Sequence, residues 1–500
     1  MSGIYNVLLL LSAAAVVLGS PVDDLKTYLA KPVNQRTALA NQAFGSQPLT
    51  ALEARQAATL LWGDHKVNLS NQYRDAWNSR VLTLNNYTMK FYFSVRGSKP
   101  AGGRSLYISM HGGGQVSSDV NDQQWENQKN LYGNLPSEGV YLAPRAPTDS
   151  WNMWFQSHID SFFEQIIAAA QLFEDVNPNR VYIMGYSAGG DGTYQLAPRL
   201  ADRWAGAAMS AGHPNDAQPY GLRNIAMAIH VGALDAAFNR NIVAAQWGAK
   251  LDTLHTKDTT GYFHQVQIHQ GCSHWMNLED SVALSWTAKY TRNPLPERVV
   301  WYQNGVTHNR FYWLGVDDSL MRAGNLIDAS REGQSIYINK SDVNKITILL
   351  NDSMADLDKP VTLTWSGKNP VQINVTRTIA SIAKSIEERN DPNYIFSASI
   401  TASPTITTAV NSIIRQPSKF ENPFRVHVAG PNTFRIQGIT SKAMQIAFRR
   451  LDGRVVASSV NGTLRVNGEI IYCKASLGSA VYVVEIRQDC QRRYLTVTCK

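Results

Sequence analysis

The pentapeptide Gly185-Tyr186-Ser187-Ala188-Gly189 lies between a buried-strand run, residues 181–184, and a stretch of small residues suited to opening a helix. Glycines two positions either side of a serine let the backbone pass through a strained strand-to-helix turn, with the hydroxyl exposed at its apex. No other feature limits the chain so much. The strand must end at the C-terminal edge of a sheet, and the helix must pack back on it. Five residues alone recur by chance. Here the strand before, the helix after and a glycine triplet upstream make Ser187 a candidate nucleophile. A purely structural glycine turn has no need of serine at its apex.

The flanking sequence supplies that sheet. Residues 106–110 read as a strand ending in His111-Gly112-Gly113-Gly114, and 140–143 as a second one closed by Pro144 and Pro147. Ile159, Phe162, Phe163, Ile166, Ile167, Ala170 and Phe173 recur at helical spacing and predict a strongly amphipathic helix. Residues 225–231 and 263–268 read as further strands, with a helix around 244–254 between them. Strands alternating with helices imply an α/β domain, a mostly parallel sheet covered by helices on both faces, over 85–295. Before it, residues 20–84 are largely helical in pattern, with Ala51, Ala54, Ala58 and Leu61 spaced for one face. After Pro294 and Pro296 helices almost disappear. Strand candidates at 299–302, 311–314, 335–338, 346–350, 361–365 and 394–400, with one helix at 379–389, predict a small β-sandwich-like module over 297–400. A Thr/Ser/Pro-rich linker at 401–422 leads to a second small β module, 423–500.

A serine hydroxyl is a weak nucleophile until a base takes its proton, and the base needs an orienting carboxylate. On a sheet of this kind the chain order is serine, acid, histidine. Asp235 follows the strand at 225–231 and is the preferred acid over Asp252, on a helix, and Asp258, in a polar loop. His274 follows the last strand after a glycine turn and is the preferred base. His264 and His269 sit within or at the end of that strand, where a structural histidine is the simpler reading. An acyl-transfer intermediate also needs preorganised N–H donors for its oxyanion. The side-chain-free amides of Gly113 and Gly114, with that of Ala188, are the candidates. Trp125, Trp151, Trp154 and Trp275 stand in loops near these motifs and are candidate pocket walls.

At these residues the chain resembles the α/β-hydrolase superfamily, most nearly its phospholipase/carboxylesterase/thioesterase branch with poly(3-hydroxybutyrate) depolymerase-like and feruloyl-esterase-like relatives. The stretches that carry the likeness are 109–114, 143–147, 185–190, 231–235 and 273–275. The resemblance implies a serine carboxylic-ester hydrolase working without metal or cofactor, on an ester substrate that is free or polymer-linked. One departure is Asp191-Gly192-Thr193, where a plain small-residue helix start is commoner. Two alternatives stay open. A prolyl-oligopeptidase-type serine peptidase shares the triad but needs a large N-terminal propeller, for which there is no room. A non-enzymatic cell-surface or carbohydrate-binding protein has no need of the complete serine, acid and histidine order.

Residues 7–18 form an apolar run of export-signal length, and Val17 and Gly19 suit cleavage after residue 19. The run is too short for a membrane span, which needs about 20 apolar residues. A secreted or cell-surface location is expected. Four cysteines fit an oxidising compartment. Three fall in the last 28 residues, where one disulfide is expected without a definite pairing, and Cys272 stands alone. The net charge of +8 is uneven: residues 421–500 carry 12 Lys and Arg against 5 Asp and Glu, which leaves +1 for the rest. A nucleic-acid protein would concentrate that charge on its working domain, so nucleic acid is not an expected partner. The tail, at 421–424, 446–456 and 477–484, is similar to C-terminal sorting domains of the type IX secretion system. That likeness implies contact with secretion machinery. A basic wall- or carbohydrate-binding sandwich is the rival reading.

Overall fold

The computed structural model describes residues 20–405 and the backbone of strands between 425 and 499. The chain divides into two compact units, Met1–Asn411 and Ser412–Lys500. The expected export signal, the 406–422 part of the linker and the side chains of the tail's cysteines lie outside the described residues.

The first unit is built on an eight-stranded sheet: β1 (Val81–Leu84), β2 (Tyr87–Arg96), β3 (Arg104–Met110), β4 (Gly139–Pro144), β5 (Val176–Tyr186), β6 (Gly206–Ser210), β7 (Ala226–Gly232) and β8 (His264–His269). Their spatial order is β1-β2-β4-β3-β5-β6-β7-β8. β1 and β2 form an antiparallel hairpin, β2 runs antiparallel to β4, and every later pairing is parallel. The sheet therefore begins at Val81, slightly before the predicted boundary at 85. Along each strand alternate residues enter opposite cores. Leu106, Ile108, Val181, Ile183, Met227 and Ile229 face the helices α2 (Ala51–Ser79), α4 (Ser157–Phe173), α5 (Ala188–Arg199) and α6 (Arg240–Lys257). Tyr107, Tyr141, Tyr182, Met184, Ala208 and Ala228 face the other side, with α3 (Ser118–Leu131) and α7 (Val282–Thr287). A parallel sheet covered on both faces, with a serine turn at the end of its central β5, is the α/β-hydrolase arrangement.

A short helix, α1 (Pro21–Leu29), precedes α2, which opens on a capping box between Thr50 and Glu53. The β-rich segment forms two sheets. The strands are β9 (Arg298–Tyr302), β10 (Arg310–Phe311), β11 (Leu314–Gly315), β12 (Leu326–Glu332), β13 (Ser335–Ser341), β14 (Ile346–Leu350), β15 (Val361–Trp365), β16 (Val371–Ile373) and β17 (Ala398–Ala402). One sheet has the order β16-β15-β13-β12-β9 and the other β10-β11-β14-β17. Residues 311–314, expected as one strand, instead turn at Tyr312, whose φ is +52°, into the β10–β11 hairpin. The buried faces of both sheets belong to the same apolar cluster as the main sheet, joined through Val299, Trp301, Phe311, Tyr312 and Trp313. Helix α8 (Ile379–Arg389) packs Ile379, Ile382 and Ile386 against Leu25, Ala54, Ala57 and Leu61 of α1 and α2.

The second unit has β18 (Arg425–Gly430), β19 (Thr433–Gln437), β20 (Met444–Arg449), β21 (Val455–Ser458), β22 (Leu464–Asn467), β23 (Ile470–Lys474), β24 (Ala480–Gln488) and β25 (Gln491–Cys499). They form two antiparallel four-stranded sheets, in the orders β18-β19-β23-β22 and β21-β20-β24-β25. Among the described residues no helix is long and apolar enough to cross a membrane.

Candidate active site

Ser187 sits between β5 and α5 with φ +56° and ψ −118°, a conformation an L-residue holds only under constraint. The constraint is close packing of the flanking glycines. A Cβ on Gly185 would lie 2.0 Å from Gly189 O, and one on Gly189 would lie 2.1 Å from Met110 O. The turn is further pinned by Ser187 N donating to Ser210 O at 2.9 Å on β6.

The three residues taken from chain order come together here. Ser187 Oγ is 3.0 Å from His274 Nε2, and His274 Nδ1 is 2.8 Å from Asp235 Oδ2. The Asp235 side chain is 1% exposed and that of His274 43%, so the carboxylate is shielded while the imidazole stays reachable from solvent. Asp235 lies in the β7–α6 connection and His274 in the loop after β8. The two loops are laced together by Ala233 N to His269 O and Leu234 N to Cys272 O, both 2.9 Å. Tyr186 Oη donates to the His274 carbonyl, which ties the His274 loop to the Ser187 turn. Arg240 Nη1 stands 3.6 Å from Asp235 Oδ1, the carboxylate oxygen that His274 leaves free.

The rival residues have other partners. Asp252 bonds His264 Nε2 at 3.1 Å, and Asp258 is held by Arg223. His269 is bonded between His230 and Glu279, and burial followed by the neighbouring His269 pulls the His230 imidazole down to about 4. Asp191, the departure noted in the sequence, lies on α5 and accepts the His213 amide at 2.6 Å. Burial pushes its carboxyl up to about 6.

The glycine loop after β3 wraps over the turn, and Gly113 and Gly114 have φ of +107° and +78°. One expectation is corrected. The Gly114 amide is not open to an oxyanion, because it already donates to Asn121 Oδ1 at 2.9 Å. Gly113 is left as the upstream candidate donor, beside Ala188 at the N-terminus of α5, where the helix dipole also favours negative charge. His111 is fully buried. Burial holds its imidazole down to about 3, so it is neutral, with Nε2 accepting the Ala146 amide and Nδ1 donating to Gly112 O.

The four tryptophans divide. Trp154 is fully buried and donates to His111 O at 2.8 Å, and Trp125 is partly buried, donates to Ala143 O and lies under Lys129. Both are supports rather than pocket walls. Trp151 and Trp275 are 51% and 46% exposed. Trp275 stands beside His274 with its ring 5.8 Å from Tyr186, and the Trp151 carbonyl lies against Gly114. Leu234 and Phe238, flanking Asp235, are also exposed, which adds apolar surface to the Asp235 loop. Sequence reasoning missed Asn121, Asp149, Tyr186 and Arg240. Among the described residues no group of three or more His, Cys, Asp or Glu is placed to hold a metal ion, and Cys272 is a free, buried thiol.

No family model matches this chain, and no curated protein matches it. Among solved structures it is similar to a thermostable esterase, at 15% identity and TM-score 0.34, covering 42% of this chain and 62% of that one. It is also similar to the feruloyl esterase module from Clostridium thermocellum (15% identity, TM-score 0.29, 42% and 86% covered) and to the BES protein from Bacillus cereus (11%, 0.31, 42% and 92%). The chain thus spans less than two thirds of the thermostable esterase. The sheet order and the Ser187 turn carry the fold; these distant likenesses do not.

Proposed function

We propose that this chain is a secreted serine hydrolase that cleaves carboxylic esters through an acyl-enzyme on Ser187. The observation that carries the reading is the unbroken line Ser187 Oγ, His274, Asp235 at 3.0 and 2.8 Å, ending on a buried carboxylate. In this reading His274 Nε2 takes the Ser187 proton as Oγ attacks the ester carbonyl. Asp235 holds the Nδ1–H tautomer and stabilises the imidazolium. The Gly113 and Ala188 amides receive the oxyanion. His274 then returns the proton to the leaving alcohol, and water releases the acid by the same steps in reverse. The exposed Trp151, Trp275, Leu234 and Phe238 favour esters whose acyl part is apolar or aromatic, free or attached to a polymer.

The test is turnover of p-nitrophenyl acetate and longer esters beside a Gly-Pro amide, with fluorophosphonate labelling followed by peptide mapping. Ester turnover with label on Ser187 supports the reading. Amide turnover in its place points to a peptidase, and neither turnover nor label sinks it. Export through residues 1–19, and delivery through the C-terminal unit, complete the proposal. A mature N-terminus at Ser20 in the medium or on the cell surface is the expected result, and retention of the full-length chain inside the cell the adverse one.

A further inference from the structure

The two peptide planes flanking Gly113 are each held by one buried side chain. On one side His111 Nδ1–H donates to Gly112 O at 2.6 Å. A trans peptide points its N–H away from its C=O, so fixing Gly112 O inward turns the Gly113 N–H outward. On the other side Gly114 N donates to Asn121 Oδ1 at 2.9 Å, which fixes the Gly113–Gly114 plane. Glycine is the residue freest to rotate about φ and ψ, and here both are set from outside. Asn121 also explains why position 113 is glycine. A Cβ there would lie 2.2 Å from Asn121 Oδ1.

Asn121 lies on α3, is fully buried, and its amide presents an acceptor on one end and a donor on the other. Which end meets Gly114 is decided by Asp149. Asn121 Nδ2 donates to Asp149 Oδ1 at 2.9 Å, and a carboxylate only accepts, so Oδ1 must face the loop. Asp149 is fixed in turn by Arg145 Nη2 at 2.6 Å, while Arg145 Nε holds Asp122 at 2.7 Å and Nη1 holds Ala146 O at 2.7 Å. Asp149 O also accepts the Gln115 amide, which closes the ring of contacts around the loop. Asn121 touches no reacting atom. Its contacts bear only on the direction of a donor.

We propose that Asn121 is a positioning residue for the oxyanion loop, with Asp149 and Arg145 setting which way its amide faces. The role rests on the esterase reading and adds to it a determinant outside the triad. Loss of one oxyanion donor in a serine hydrolase costs roughly 10²–10³ in kcat. Loosening a donor that is still present should cost about 10–100-fold.

The experiment uses the full chain and the variants Asn121→Ala, Asn121→Asp and Asp149→Asn. It reads kcat and KM on p-nitrophenyl butyrate, direct binding of an alkyl boronic acid that forms a tetrahedral adduct on serine, and the melting temperature. Asn121→Ala should lower kcat about 10–100-fold with KM within threefold, and weaken boronate binding by a similar factor. Asn121→Asp keeps the acceptor but faces one carboxylate with another, and should fall between wild type and Ala. Asp149→Asn should weaken boronate binding by a smaller factor. A wild-type melt with kcat and boronate affinity both within threefold for Asn121→Ala overturns the proposal, as does a loss confined to KM. Should Asn121→Ala fail to fold, the partly exposed Asp149 gives the isosteric comparison, and unchanged boronate affinity in Asp149→Asn overturns it equally. A wild-type protein without ester turnover fails the esterase reading. Boronate affinity, read by calorimetry, still separates the two failures.

Discussion

At the scale of single residues, Ser187 is held by its neighbours' backbone rather than by its own side chain, so its hydroxyl can be removed without touching the turn. Ser187→Ala should therefore keep the wild-type melting temperature while kcat on esters falls by roughly 10⁴–10⁶. His274→Ala should cost about as much, and the double variant little more, because a nucleophile and its base, the roles proposed for this pair, act as one unit. Additive losses would show that the 3.0 Å contact between them is not functional. Asp235→Asn can present an N–H to His274 Nδ1 and so favour the wrong tautomer. A fall in kcat of roughly 10⁴ is expected, and undiminished turnover removes Asp235 from the acid's role. Asp191 makes a separate prediction. Its carboxyl is raised to about 6 by burial, against the His213 and Asn215 bonds and the Arg240 charge that lower it. A carboxyl raised on folding contributes stability that is complete below pH ~4 and lost as pH rises through about 6, on the order of 3 kcal/mol. Asp191→Asn keeps an acceptor for the His213 amide and cannot ionise. Its melting temperature relative to wild type should climb between pH 4 and pH 7, and a flat difference would refute the shift. The convergence of Ser187, Asp235 and His274 was legible because chain order and strand ends constrain where they fall. The occupied Gly114 amide and the buried Trp154 were not, because composition does not say which way a peptide or a ring turns.

Among the elements, α3 shows why part of the site was hidden. Its buried residues are Asn121 and Gln128, both polar, the second donating to Ser109 Oγ at 2.7 Å. A search for apolar residues at helical spacing passes over a helix whose inner face is made of amides. β6 was missed for a related reason, since Gly-Ala-Ala-Met-Ser lacks the branched residues that mark a strand. By contrast α4, with its apolar face, and α8 at 379–389 lie where periodicity put them. Helix α2 does two jobs along its length. Its first half packs on α8 through Ala54, Ala57 and Leu61, and its second half packs on the main sheet through Leu69, Tyr73 and Trp77. Where α5 ends, Asp202 meets Arg389 and accepts the Tyr312 amide at 3.1 Å, while its own carbonyl takes Tyr394 Oη at 2.8 Å and Arg292 at 2.9 Å. Asp202→Ala leaves the buried Arg389 guanidinium without its carboxylate and should cost about 3–5 kcal/mol. Urea unfolding reads this directly, and a loss below 1 kcal/mol would mean that water replaces the pair.

For the molecule as a whole, the question is how much chain the chemistry needs. The prolines at 294 and 296 set a body at 85–295 apart from a β-rich module at 297–400, for which Trp301, Tyr312 and Trp313 offer apolar anchors against that body. The structure of the first unit ties 297–402 into that body through those anchors and through ion pairs that the sequence does not reveal. Trp301 and Trp313 are fully buried in the main cluster, Arg292 pairs with Asp391 at 2.6 Å, and His308 Nε2 meets Asp160 at 2.8 Å. The connection after β6 that carries His213 is also braced from there, because Gln218 N donates to Asn304 Oδ1 at 2.9 Å. A chain cut after residue 404 keeps all of these contacts. One cut after residue 296 exposes the apolar partners of Trp301 and Trp313 and strands Asp160 and Asp202 without His308 and Arg389. The prediction is thus asymmetric. Residues 20–404 should fold and turn over a soluble ester with kcat/KM within threefold of the full chain, having lost only delivery or attachment. Residues 20–296 should be insoluble or inactive. Circular dichroism, gel filtration and kcat/KM on both truncates decide it. A well-folded 20–404 fragment that has lost soluble-ester activity would give the C-terminal unit a share in the active site. A monodisperse 20–296 fragment with full activity would show that the buried ion pairs between β-rich segment and hydrolase sheet are dispensable.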